Sequence, residues 1–477
     1  MKDLFRTFTD PDRENDHKAF SRIWLFLLLV CVLLGWGLFL NFGEIPFDYH
    51  DWAEVNAPRL AFLKDAITKG QPPLHMPDSS ALRGVTDRYM ALPDLILSPQ
   101  VVLLRWMSVG TFVLFHTWLL ILAGWAGLLR LRKRFSLSLL SFTWLTILFY
   151  FNGHILSHYG VGHVTWGGYF LLSWFMELVF ALTDGEKGAV WEAKMAFLLF
   201  FTFLQGSFHQ FVWCVIFLGF LAVSNWKYLL TILKAGICAG LLSMVRIIPP
   251  ALQMGAFDDD FLGGYRTPLQ LLKAFIRIIV PADSLNQQKT GAVLGWWEFD
   301  IYTGIAGLLV LALGAAAWLL IRNRGLGFPA LICPVAVLGI FSMRNFYMLL
   351  RFFRIPLFSG ERVSSRFLIL PFVFILAAGL GALQMAIRKR SFAGPANSLL
   401  TLGLVPGVWA LWKHLNAWKV TEAVKGFPYT YTDLSIKVVA NHPDPAYTRG
   451  LLIGLAVTII SAAGVLARAA IKVKSKR

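Results

Sequence analysis

The chain has few cysteines, few charges and no loop built to hold a nucleotide, and each scarcity excludes something. Its four cysteines, Cys31, Cys214, Cys238 and Cys333, lie inside apolar runs and share no metal-ligand spacing. Neither a disulfide framework nor a thiolate metal centre is expected. Charged residues are 15% of the 477 positions and hydrophobic residues 57%. A soluble domain has no means of hiding that much apolar surface, so the class is polytopic membrane protein. No Gly-rich loop follows a strand and opens a helix, which leaves a nucleotide-driven motor without support. The first apolar run follows about twenty mixed-charge residues and lacks a small-residue cleavage site, so it reads as a signal anchor.

Acids are scarcer than bases, 27 against 44, for a formal charge of +17. The excess falls in short clusters between apolar runs: RLRKR at 130–134, RNR at 322–324, RKR at 388–390 and KVKSKR at 472–477. That is the positive-inside pattern and not a nucleic-acid surface.

Runs long enough to cross a bilayer fall near 22–42, 108–129, 136–152, 165–182, 194–205, 208–224, 228–247, 301–321, 327–344, 366–387, 397–412 and 449–468. The fold expected is an all-α polytopic protein of about 12 spans. It has a cytoplasmic segment 1–21, a transmembrane domain 22–468 and a basic cytoplasmic tail 469–477. With the N-terminus inside, every basic cluster is cytoplasmic. The long loops 43–98, 248–300, 345–365 and 413–448 then fall outside, in the extracytoplasmic space of a plasma or inner membrane. Any active site is expected on that outer face.

The segment FDYHDW, 47–52, sets Asp48, His50 and Asp51 at the edge of the first span. Carboxylates there act as a general base toward a hydroxyl, as metal ligands, or as solvated loop residues. Pro58 starts and Gly70 ends a short amphipathic helix, either lying in the membrane interface or packed on other outer loops. A second such helix is expected over TPLQLLKAFIRIIV, 267–280.

A first span, an early loop aspartate, an interfacial helix, G-x-P-P-L and a second span entered after LSP (97–99) form a recognisable order. It resembles the polytopic GT-C-type glycosyltransferases, and more narrowly the YfhO-like bacterial membrane proteins. FNGHILSHYGVGHVTW (151–166), WWEFDIYTG (296–304) and ERVSSRF (361–367) are similar to later segments of those proteins. The resemblance implies a polyprenyl-phosphate sugar donor and a glycan, lipid or protein acceptor. It also implies a first-loop aspartate as base or metal ligand, Asp48 ahead of Asp51 because it stands nearest the membrane exit, with Mg or Mn as the possible divalent cation.

The remaining candidates have two readings each. His154, His158 and His163 lie in a Gly-rich outer turn, either as interfacial rings or as donors to a phosphate or sugar. His209 falls in the QGSFHQ turn on the same side. Arg246 either snorkels to headgroups or holds a lipid phosphate, and Arg277 shares that ambiguity. Trp296 and Trp297 suit an aromatic belt or a sugar face, with Glu298 and Asp300 beside them as hydroxyl acceptors. Glu361, Arg362 and Arg366 form either a phosphate clamp or an ion pair. The run DDD, 258–260, is a solvated acidic stretch or a cation site. Sugar transfer is the leading functional expectation. A transporter or flippase would need charge midway across the bilayer, where only Glu177 and Lys234 are candidates. A non-catalytic envelope-assembly protein is the third reading.

Overall fold

Apolar runs in lipid leave the backbone little choice but to close its hydrogen bonds within each segment. The computed structural model describes residues 2–77, 82, 86–92, 94–252, 261–280, 294–353, 360–388, 393–422 and 441–474. It is 79% helix, and among the described residues the β-structure is confined to isolated bridges. Among the described residues seven helices are long and apolar enough to cross a membrane: Pro11–Phe39, Val109–Phe135, Leu139–Gly160, Val164–Thr183, Gly304–Ile321, Ser364–Arg388 and Pro445–Val473. Trp226–Leu242 and Met244–Ala251, bent by 67°, make an eighth if they are one span. The other expected spans are also helical, over Ala189–Leu204, Phe208–Ser224, Ile332–Phe341 and Ala393–Trp418. These four fall short of the same length and apolarity.

Leu139–Gly160 and Ser364–Arg388 form the centre, 94% and 89% buried over their apolar stretch. Pro445–Val473 is only 17% buried and turns Leu452, Ile459 and Ile460 outward, as a lipid-facing helix does. Where Gly304–Ile321 crosses the centre, Gly314 and Gly379 meet backbone to backbone. Side chains there would hold the two helices apart.

The two ends of the helical body differ in chemistry. At the end where Val109–Phe135 stops, Arg134 binds Glu177 at 2.8 and 3.0 Å and also pairs with Asp184. Arg132 pairs with Glu14 there, and Arg388 with Asp12. At the other end the first loop folds down onto the helix ends. Its helix Ala57–Lys69 is closed by Gly70 at φ +66° and buries Arg59, Leu60, Phe62, Leu63 and Ala66. The apolar face of this helix therefore packs on protein. Pro268–Ile276 forms within the expected second amphipathic segment, and Thr267 caps it by accepting from Gln270 N at 3.2 Å. The QGSFHQ stretch is a tight turn between two helices, with Gly206 at φ +77°. The DDD run lies outside the described residues.

Candidate active site: a carboxylate–histidine cluster

Five segments that sequence places far apart meet at the loop-covered end. Asn152 opens the Gly153–Gly160 turn of helix by accepting from Ile155 N, which puts His154 and His158 on one face. Gly162, at φ +97°, follows. A Cβ there would sit 2.3 Å from Trp52 N, so only glycine lets the first loop come this close. The Asn56 amide ties the two strands of chain together by donating to the Asp51 and Gly162 carbonyls. His50 sits at φ +44°, an uncommon conformation for a residue with a side chain and one that concentrates at functional sites.

These contacts build a line of four groups. Asp51 Oδ2 lies 3.4 Å from His163 Nε2, and His163 Nδ1 lies 2.7 Å from His158 Nδ1. His158 Nε2 in turn faces Glu298 Oε2 at 4.0 Å. Two neutral imidazoles carry one N–H each. One of those protons is shared between the two Nδ1 atoms, so only one of the outer Nε2 atoms is protonated. Whichever tautomer forms, one of the two carboxylates faces a bare ring nitrogen. The line has room for one more proton.

Beyond Glu298 the cluster is closed by ion pairs. Arg366 grips Glu298 with Nε at 2.7 Å and Nη2 at 2.6 Å, and its Nη1 reaches Glu361 at 3.3 Å. Glu361 Oε2 also accepts from Trp213 Nε1 at 2.8 Å and lies 3.1 Å from His209 Nδ1. Trp166 floors the site. His158 stacks on it at 3.6 Å and the Arg366 guanidinium lies over its ring at 5.1 Å. His154 packs against the same indole at 5.1 Å, and Trp297 meets His50 edge-on at 4.9 Å.

Burial pulls His163 down to about 4 against the opposing fields of Asp51 and Glu298, so the ring is neutral near pH 7. Burial alone would raise Glu361, but His209, Arg366 and Trp213 outweigh it and hold the carboxyl at about 2. Glu298 is likewise drawn below its usual range, Arg366 prevailing over desolvation. Two carboxylates thus share one guanidinium while a third, Asp51, faces His163, an excess of negative charge suited to holding a cation. His50, Asp51 and His163 place one ligand atom each within 4.8 Å of one another, as do His158, His163 and Glu298. Two imidazoles in either set suit Mn²⁺ better than Mg²⁺, which prefers oxygen ligands throughout.

No protein-family model, curated protein or solved structure matches the chain. The assignment of roles therefore rests on geometry.

Of the residues singled out from sequence, His50, Asp51, His154, His158, His163, His209, Trp297, Glu298, Glu361 and Arg366 converge here. Others lie elsewhere. Asp48, two residues before His50, is half-buried with Oδ1 lacking a hydrogen-bond partner, and burial raises its carboxyl. Asp300 is locked away, 2.9 Å from His414 Nε2 and accepting from Tyr302 N at 2.8 Å. Trp296 is buried beside Phe299. Arg246 is buried and donates to the Leu92 and Asp94 carbonyls at 2.9 and 3.0 Å. Arg362 is partly buried, four residues before Arg366, and its carbonyl accepts from Leu262 N at 2.8 Å. Trp166 and Trp213 were not singled out. The i, i+4 spacing of His209 and Trp213 was the one available signal for the second.

Proposed function

We propose that the chain is a membrane glycosyltransferase of the GT-C kind. It would move a sugar from a polyprenyl-phosphate donor to a hydroxyl of a glycan, lipid or protein acceptor. The reading includes the twelve-span topology, both termini cytoplasmic and the cluster on the extracytoplasmic face. The observation that carries it is the Asp51–His163–His158–Glu298 line with its place for one proton. Asp51 takes the acceptor's hydroxyl proton as the acceptor oxygen bonds to the anomeric carbon. The bond from that carbon to the donor phosphate breaks, and polyprenyl phosphate leaves with the electron pair. The acquired proton is then shared along the two imidazoles, so Asp51 is not left as an isolated buried acid. Trp297, beside His50, is the proposed indole for the sugar, and Arg362 is the proposed contact for the donor phosphate.

A cavity of about 660 Å³ supports a lipid-linked donor. Apolar side chains such as Leu120, Ala123, Trp174 and Phe197 line its middle, and Gln100 and Gln205 stand at one end. Gln205 begins the turn that carries His209, so a chain lying in the cavity would present its headgroup toward the cluster. Transport is less well supported, because Glu177, which lines the same cavity, is neutralised by Arg134 at 2.8 and 3.0 Å.

The test is a transfer assay in membranes supplied with defined polyprenyl-phosphate sugars, comparing wild type with Asp51→Asn and Asp48→Asn. Undiminished product from Asp51→Asn would remove its role as base. Loss of product on chelation, restored by Mn²⁺, would give Asp51 to a metal ion instead.

A further inference from the structure

A second set of metal-competent side chains lies away from the cluster, and it joins the first loop to the segment that precedes the last helix. Asn441 begins the junction. Its side-chain oxygen accepts from Leu74 N at 3.2 Å and His75 N at 3.1 Å, and its amide donates to Pro72 O at 2.8 Å. This stitching sets the His442 ring 3.9 Å from the His75 ring, centroid to centroid. His442 Nε2 lies 2.6 Å from Asp87 Oδ2, and His75 Nε2 lies 3.7 Å from Asp444 Oδ2.

His75 is the anomaly. It is 1% exposed, and neither ring nitrogen has a hydrogen-bond partner. Asp444 at 3.7 Å is too far to serve as one. A buried imidazole with both nitrogens idle costs free energy that a simple turn would not accept. Its lone pair is accounted for if it binds a metal. Ligand atoms of His75, Asp87 and His442 all lie within 4.8 Å of one another, a spread that one ion can span. Asp444 stands beside them, fixed by Arg88 Nε at 2.7 Å and capping Tyr447 N at 3.2 Å. That is the kind of outer support metal sites use. His442 and Asp87, half exposed, leave the site open to solvent on one side.

We infer that His75, Asp87 and His442 form a binding site for a divalent transition-metal ion of the zinc class, with Asp444 available as a fourth ligand. Two imidazole nitrogens and one or two carboxylate oxygens match Zn²⁺ in tetrahedral coordination, and they exclude Ca²⁺ and Mg²⁺ as preferred occupants. The ion is structural. It clamps the first loop, which carries Asp51, to the entry of the Pro445–Val473 helix. The inference is independent of the glycosyltransferase reading.

The experiment titrates the full-length protein in detergent with Co²⁺ and then displaces it with Zn²⁺. The expected result is one tight Co²⁺ per chain with the intense visible absorption of a tetrahedral site, lost on adding Zn²⁺. His442→Gln, at an exposed position, weakens binding by at least about tenfold and abolishes the Zn²⁺-induced rise in Tm. His75→Ala does the same if it folds, but the His442 variant carries the test. Absence of Co²⁺ binding leaves His442 and Asp87 as an ordinary ion pair and overturns the inference. So does a Co²⁺ band that survives His442→Gln and vanishes in His163→Ala, which would place the ion in the other cluster.

Discussion

Around Asp94, an arginine and a tyrosine close on one carboxylate and a second arginine takes its backbone carbonyl; around Arg366, two carboxylates close on one guanidinium, with a third carboxylate and a pair of imidazoles beside them. The two clusters lie on either side of the Gly206 turn, whose backbone abuts Asp94 three residues before His209. In the first, Arg59 Nη1 approaches Asp94 at 3.5 Å, Tyr89 donates to it at 3.2 Å, and Arg246 is bound to backbone carbonyls. Asp94 is 5% exposed and Arg59 8%, so nothing there meets solvent. In the second, the rim is open: His50 is 33% exposed and His209 36%. Burial with bound backbone makes a frame. Burial with one proton too few and an open rim makes a place where chemistry can occur.

The largest effect expected from this contrast is on rate. Asp51→Asn should cut transfer by about a thousandfold, the usual worth of a general base, and change Tm little. Asp48→Asn, outside the line, should leave the rate nearly unchanged. If the two variants fail in the opposite order, Asp48 is the base and the line is only structural.

Arg246→Met should give the reverse phenotype. Removing a buried cation that two carbonyls and Asp94 depend on should lower stability by about 3 kcal/mol, read as denaturant or thermal unfolding in detergent. Turnover per folded molecule should hold. A rise in KM for the lipid donor at unchanged stability would instead make Arg246 a phosphate ligand and erase the distinction between the clusters.

The sequence exposed much of the second cluster and little of the first. Topology alone gathered the outer loops on one side, which brought Asp51, His163, His209, Glu298 and Glu361 into one neighbourhood before any contact was known. It favoured Asp48 over Asp51 for standing nearer the first span, and three residues of separation say nothing about which one meets a ring 112 positions later. The same limit hid His75 and His442, joined only through the fold. From sequence Arg246 is either a snorkelling residue or a phosphate ligand, and Asp300 a hydroxyl acceptor. The structure gives Arg246 to the Leu92 and Asp94 carbonyls and Asp300 to His414, partners in segments with no motif of their own. Trp213 was invisible for a simpler reason: an indole in an apolar helix is ordinary until a carboxylate is found against its nitrogen.

Acid should separate the clusters next. His163 titrates near its ordinary 6.5 in the unfolded chain and at about 4 in the fold. Between those values the unfolded state binds more protons, so stability falls as pH drops from 6.5 to 4 and is flat above. The total loss is about 3 kcal/mol. Tm measured across that window should fall for wild type and by a smaller amount for His163→Gln. An equal fall in both would assign the acid sensitivity to another group.

The smallest effect probes where the active cluster ends and its frame begins. Trp213→Phe removes the 2.8 Å donor to Glu361 Oε2 but leaves Arg366, His209 and the Val363 amide on the same carboxylate. Glu361 stays ionised, and the cost should be about 1–2 kcal/mol of stability with the acid profile unmoved. If the rate drops much further than stability does, the Glu361–His209 pair is part of the reacting line. If the two move together, Glu361 belongs with Asp94: a buried carboxylate whose work is to hold an arginine in place while Asp51 and His163 handle the proton.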